Sequence, residues 1–108
     1  MATAYKVLGQ SNPAATTDTT LYTVPSATET VISTITVANL GTSGTYRIAI
    51  RPDGAAIANQ HYLAYEAALN ANDSITWTLG ITLNASDVIT VRASNTSFAF
   101  SAFGAEIA

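Results

Sequence analysis

Apolar and polar residues alternate with a period of two along most of the chain. Tyr46, Ile48 and Ile50 interleave with Thr45, Arg47, Ala49 and Arg51, and Ile75, Trp77 and Leu79 interleave with Ser74, Thr76 and Thr78. Successive side chains on a strand point to opposite faces, so both patterns predict half-buried strands. Residues 30–38 are denser. Val31, Ser33, Ile35 and Val37 fall on one face, and Ile32, Thr34, Thr36 and Ala38 on the other. With both faces apolar or small, this segment predicts a central strand covered on both sides. Residues 88–92 and 97–103 are further strands, and 21–24 and 4–8 are shorter ones, all rich in the β-branched and aromatic residues that suit a pleated surface.

Turn chemistry separates these runs at the spacing of an antiparallel meander. Gly41-Thr42-Ser43-Gly44 and Ala93-Ser94-Asn95-Thr96 read as hairpin loops, and Pro52-Asp53-Gly54 as a turn. Asn70-Ala71-Asn72-Asp73 precedes the Trp77 strand. Gly80 and Asn84-Ala85-Ser86-Asp87 bracket a short connection into Val88. Residues 11–20, polar and Thr-rich, read as an exposed loop or arm. Residues 55–69 are ambiguous. Ala58, Tyr62, Tyr65 and Leu69 form a helical stripe, yet residues 60–66 also alternate as a strand among β neighbours, and the strand is preferred. Seven or eight short strands in 108 residues predict an all-β, single-domain antiparallel β-sandwich over residues 1–108, either jelly-roll or immunoglobulin-like.

Charge changes the picture more than hydrophobicity does. Charged residues make up 10% of the chain, against about 25% in an ordinary globular domain. The surface is therefore built largely from 17 Thr and 9 Ser. Seven acids and four bases, with no basic cluster, argue against nucleic-acid binding. No apolar, charge-free run is long enough for a membrane helix. The opening residues lack a signal-peptide core, so the chain is expected to be made and kept in a cytoplasm or released by lysis. There is no Cys, which removes disulfides, thiolate metal sites and Cys nucleophiles.

Catalytic signals are weak. His61 is the only imidazole, and no Gly-x-Ser-x-Gly elbow accompanies it. The carboxylates Asp18, Glu29, Asp53, Glu66, Asp73, Asp87 and Glu106 are scattered beside turns rather than paired. Asn70, Asn72 and Asp73 echo a calcium loop only faintly. The expectation is no enzyme, no metal and no cofactor. Sequons at Asn72, Asn84 and Asn95 read as turn chemistry without a secretory leader. Tyr62, Tyr65 and Trp77 are candidates for an aromatic platform for sugars, with the core face of its strand preferred for Trp77. Arg47 and Arg51 share the outward face of one strand and suit an intersubunit ion pair or a ligand. Phe98 and Phe100 share a face opposite to Phe103, so one aromatic face is expected to be intermolecular. Sparse charge thus predicts an assembly subunit whose interface draws on Phe98, Phe100, Phe103, Tyr62, Tyr65, Arg47 and Arg51.

A set of short motifs carries a resemblance. These are Tyr5-Lys6-Val7-Leu8-Gly9-Gln10, Leu21-Tyr22-Thr23-Val24-Pro25 and Val31-Ile32-Ser33-Thr34-Ile35 with Ala38-Asn39. Asn72-Asp73-Ser74-Ile75, Leu79-Gly80-Ile81-Thr82-Leu83 and Asp87-Val88-Ile89-Thr90-Val91 with Ala93-Ser94 follow, and Ser97-Phe98 and Phe103-Gly104-Ala105-Glu106-Ile107 close the chain. In this order they resemble small virion structural proteins of tailed bacteriophages, notably those of cyanobacterial and other aquatic hosts. The resemblance covers nearly the whole chain. It implies a non-enzymatic β-sandwich localised to the virion and assembled in the host cytoplasm. The commonest such role is a capsid decoration or cement protein, held to the major capsid protein or other virion subunits, with a homotrimer expected. A tail, baseplate or fibre-associated subunit contacting host glycans is the alternative. The resemblance transfers no functional residue.

Overall fold

The computed structural model describes residues 2–108, with only the backbone of Leu79. Alternation is realised as eight strands: β1 (Thr3–Ser11), β2 (Thr19–Thr23), β3 (Glu29–Asn39), β4 (Gly44–Arg51), β5 (Tyr62–Leu69), β6 (Ser74–Leu83), β7 (Val88–Ala93) and β8 (Phe98–Ile107). Two single 3-10 turns, Pro52–Gly54 and Asn59–His61, fill the link between β4 and β5. Within the ambiguous segment 55–69, residues 62–69 are therefore a strand, and residues 60–61, expected to begin it, fall in the preceding turn. Gly80 lies inside β6 rather than in a connection. The Leu79 side chain, expected beside Trp77, lies outside the described residues.

The strands form two four-stranded antiparallel sheets, sheet A in the order β1-β8-β3-β6 and sheet B in the order β2-β7-β4-β5. This is the eight-stranded jelly roll, two Greek keys wrapped face to face. It decides between the two sandwich types open in the sequence and corrects the meander. Only β4 and β5 are consecutive neighbours in one sheet. The Gly41–Gly44 and Ala93–Thr96 segments, which read as hairpins, cross between the sheets instead. Asn39 makes the first crossing feasible. Its side chain is buried, its Nδ2 donates to the carbonyls of Thr42 (2.8 Å) and Leu69 (3.1 Å), and its Oδ1 accepts from Gly41 N–H (3.1 Å). Gly44 leaves room for the other crossing, since a Cβ there would collide with Ser94 Oγ.

The core lies between the sheets. Sheet A contributes Ile32, Ile35, Val37, Phe98, Phe100 and Ala102, and sheet B contributes Tyr22, Tyr46, Ile48, Ile89 and Val91. Tyr46 packs its ring against Phe98 (6.2 Å between centroids) and edge-on to Phe100 (6.3 Å). Phe98 and Phe100 are thus core residues, corrected from the expected interface. Each is sealed from solvent by sheet B, which stabilises the fold by about 1.5–3 kcal/mol per side chain. Trp77 is partly buried against the same core, and its Nε1 donates to Tyr46 Oη at 3.1 Å.

A register shift at Ser33 explains the two apolar faces of β3. The extra residue turns Ile32 and Ile35 both inward although they are three apart. Val31, Ser33, Thr34 and Thr36 are left outward, with no second layer over them among the described residues. Residues 12–18 form a largely exposed loop between β1 and β2, tied down at several points. Ser11 still pairs with Phe100, Asn12 Nδ2 donates to the carbonyls of Thr96 (2.9 Å) and Phe98 (2.6 Å), Pro13 is buried, and Thr16 N–H donates to Ala93 O (2.7 Å). The segment is a tied crossover because its backbone donors and amide find partners along β7 and β8.

Candidate functional site

Two surfaces stand out, one on each outer face of the sandwich. On sheet A the outward residues run across the strands in rows set by the ladder. One row is Tyr5, Ala105, Val31 and Thr82, the next is Val7, Phe103, Thr34 and Thr78, and the third is Gln10, Ser101, Thr36 and Thr76. None of these twelve positions carries a charge. Tyr5 is 85% and Val7 51% exposed. Tyr5, Val31, Ser33, Phe103 and Ala105, with Lys6 and Gly104, line a shallow groove of about 370 Å³. The Lys6 ammonium is paired, its Nζ meeting Glu106 Oε1 at 2.8 Å.

That carboxylate belongs to a polar knot between the sheets. Tyr22 Oη donates to Glu106 Oε2 at 2.5 Å and lies 2.8 Å from Thr30 Oγ1. Burial, then the hydrogen bond to Glu106, push the Tyr22 hydroxyl up to about 12. The Lys6 ammonium, with the Tyr22 hydroxyl, holds Glu106 below its ordinary carboxylate value. The knot closes one end of the sandwich.

On sheet B the outward surface is built by β5. Its pairing with β4 shifts register between Tyr46 and Ile48 and again between Ile48 and Ala49. The two bulges leave Ala64 and Ala67 turned toward the core and aim Tyr62, Tyr65 and Glu66 outward. Glu66 takes a left-handed φ of 51°, strained for a residue with a Cβ. Arg47 Nη2 meets Glu66 Oε1 at 3.0 Å, and Thr45 Oγ1 donates to Glu66 Oε2 at 3.1 Å. The Arg47 guanidinium carbon lies 4.3 Å from the Tyr65 ring centroid and 5.9 Å from that of Tyr62. The two tyrosine rings meet nearly perpendicular (77°) with centroids 4.9 Å apart. Asn59, Tyr62 and Tyr65 line a groove of about 340 Å³. The ion pair raises Arg47 and lowers Glu66 from their ordinary values.

Of the seven predicted interface residues, the fold brings together Tyr62, Tyr65 and Arg47. It places Phe103 on the opposite face. Arg51 is corrected from a contact residue to a turn clamp. Its Nε donates to Ala55 O (2.7 Å) and its Nη2 to Gly54 O (3.0 Å), because the chain turns back across it after Pro52. His61 is occupied locally, with Nδ1 accepting from Ala58 N–H at 3.1 Å. Among the described residues no group of His, Asp and Glu is arranged to hold a metal ion, and no helix is long and apolar enough to cross a membrane. Sequence reasoning missed Tyr5, Val7 and Glu66. Tyr5 and Val7 had a usable signal, since they alternate with Ala4, Lys6 and Leu8 on one strand. Glu66 had none, because bulges leave no mark on the period.

No protein-family model matches this chain, and no curated protein sequence matches it.

Proposed function

We propose that the chain is a non-enzymatic structural subunit of a tailed-phage virion, a capsid decoration protein that adheres through the outer face of sheet A. The observation that carries this reading is the uncharged, hydroxyl-rich and partly apolar set of rows across that face. Docking on these three rows strips water from Tyr5, Val7 and Phe103 without stranding a charge, while exposed Glu29, paired with Ile107 in the next row, stays at the border of the face. The jelly roll suits it too, being a recurrent capsid architecture. Strands of about ten residues, at about 3.3 Å per residue and about 4.8 Å apart, give a face of roughly 600 Å². That is below the roughly 800 Å² per partner of a standard stable interface. One copy therefore holds weakly, and retention depends on several linked copies acting together, as in a trimer.

The test is quantitative mass spectrometry and electron cryomicroscopy of purified particles. Copy number matching the head lattice, with sheet A against the major capsid protein, supports decoration. Absence from purified particles overturns the virion reading. A copy number matching the tail's symmetry moves the protein to a tail, baseplate or fibre position, a second reading favoured by the tyrosine groove of sheet B.

A further inference from the structure

We propose that the groove formed by Asn59, Tyr62 and Tyr65 binds a neutral saccharide, the sugar units of an uncharged cell-surface polysaccharide. The inference does not rest on the virion assignment, since every observation behind it lies within one chain.

The lining chemistry selects the ligand. A pyranose is apolar on its C–H faces and polar around its hydroxyl edge. The perpendicular tyrosine rings offer a plane to stack on and a wall beside it, in a corner sized for a ring. The exposed Asn59 amide offers a donor and an acceptor, the pair that two adjacent hydroxyls require. A volume of about 340 Å³ falls at the small end of ligand sites, which run from about 300 to 1,000 Å³.

Charge narrows the class further. The one cation beside the groove, Arg47, is already held by Glu66 and by the Tyr65 ring, and Glu66 is held by Arg47 and Thr45. Arg47 Nε is buried without a partner, out of reach of a ligand, and the opposite charges of Arg47 and Glu66 cancel beside the groove, which leaves no net charge to select a phosphate, a uronate or an amino sugar. The ligand is accordingly neutral. A proline-rich peptide also docks on aromatic side chains, but along a track of rings rather than in a corner.

The site is formed before any ligand arrives. Two bulges in eight residues, the left-handed Glu66 and the guanidinium packed against Tyr65 fix the rings in place. Strain of this kind persists where surrounding contacts hold it, and it concentrates at binding sites. Tyr65 stays 58% exposed nonetheless, so more than half of its surface is left uncovered by the described residues. The groove also lies on the face opposite the uncharged rows of sheet A. Both surfaces can be occupied at once.

The experiment uses the isolated full-length protein, 15N-labelled, titrated with the methyl glycosides of glucose, galactose, mannose and N-acetylglucosamine and with their oligosaccharides. The expected result is saturable shifts confined to Asn59, Tyr62, Tyr65 and their neighbours, at millimolar dissociation constants. Tyr65→Ala weakens binding about tenfold or more, Tyr65→Phe keeps most of it, and Asn59→Ala weakens it with the rings intact. Asn59 lies outside the strands, so its variant stays informative if Tyr65→Ala loses structure. The proposal is overturned if no sugar in the panel gives saturable shifts. It is equally overturned if binding survives Tyr65→Ala in a folded protein, or if a proline-rich peptide saturates the same residues and the sugars do not. Attachment to particles is read through sheet A variants, so the two readings fail separately.

Discussion

Arg47 is held between Tyr65, 4.3 Å from its guanidinium carbon, and Glu66, 3.0 Å from its Nη2. The pair gives the outer face of sheet B its shape, because one planar cation fixes both an aromatic ring and a carboxylate thrown outward by a bulge. Glu66 is about half exposed, so solvent screens the ion pair. Arg47→Ala should therefore cost only about 1 kcal/mol, from a surface ion pair and a cation–π contact together. Chemical denaturation checks the stability, and the Tyr65 ring resonances should move further than those of the buried Tyr46.

The two large aromatics of the sequence's strongest strands should respond differently to truncation. Phe98→Ala empties a sealed site and should cost about 3–5 kcal/mol. Trp77→Ala, at a partly buried position, should cost less, about 2–3 kcal/mol. Trp77→Phe should lose about 1 kcal/mol by removing the donor to Tyr46 Oη. Denaturant midpoints for the three variants test the order, and an equal loss for Phe98→Ala and Trp77→Ala would contradict the packing described.

Stability should fall at both ends of the pH scale through one knot of residues. The Tyr22 hydroxyl is raised from 10.0 to about 12, so its contribution is complete below pH 10 and is lost as the pH climbs toward 12. Glu106 is lowered, so its contribution is present above the ordinary carboxylate value and is lost as the pH falls through its depressed one. Tyr22→Phe should flatten the alkaline limb of the stability profile. Glu106→Gln should flatten the acid limb and part of the alkaline one. Urea midpoints measured across the pH range would show it.

Val7→Asp places a charge in the middle of the uncharged rows of sheet A. Val7 is about half exposed in the chain, so stability should change by only about 0.5 kcal/mol. Attachment to purified particles should nevertheless be lost, because the carboxylate would be buried unpaired on docking. Retention of the variant at full occupancy would place the contact surface elsewhere.

The crossover at residues 11–20 should be ordered in the free protein. Thr16 N–H should exchange slowly, given its bond to Ala93 O. Asn12→Ala removes two hydrogen bonds to β8 and its approach, and should cost about 1–2 kcal/mol while speeding exchange at Thr16.

Strand positions were legible because period-two patterning is a local property. Tyr46, Ile48 and Ile50 alternate in sequence and point inward in the structure. Partnership was not legible. The Gly41–Gly44 loop has the composition of a hairpin, and nothing local records that the chain passes there from β3 in sheet A to β4 in sheet B. The bulges were hidden for a related reason. Tyr62 and Tyr65, three apart, imitate a helical stripe, when an inserted residue has brought them to one face of a strand. Phe98 and Phe100 stand among the interface candidates beside Phe103 because alternation separates two faces without saying which one is covered. The tyrosine cluster was half visible. Its rings were evident from residue type, but the Arg47–Glu66 clamp needs two strands and a bulge to exist.

Each strand on the outside of a sheet carries a register irregularity: β1 between Val7 and Gly9, β2 between Thr20 and Tyr22, β5 twice, and β6 opposite the Ile32–Thr34 step of β3. Exposed strand borders are templates for unlimited stacking, and proteins usually guard them with lysines and other charges. This chain has only four basic and seven acidic residues. Its guard is geometric: each border is bent out of the straight ladder that a second molecule would need to extend. A Thr-rich, weakly charged β protein can then reach high local concentration without running into fibrils. Removing the bulges of β5 would be expected to promote edge-to-edge aggregation before it altered the fold.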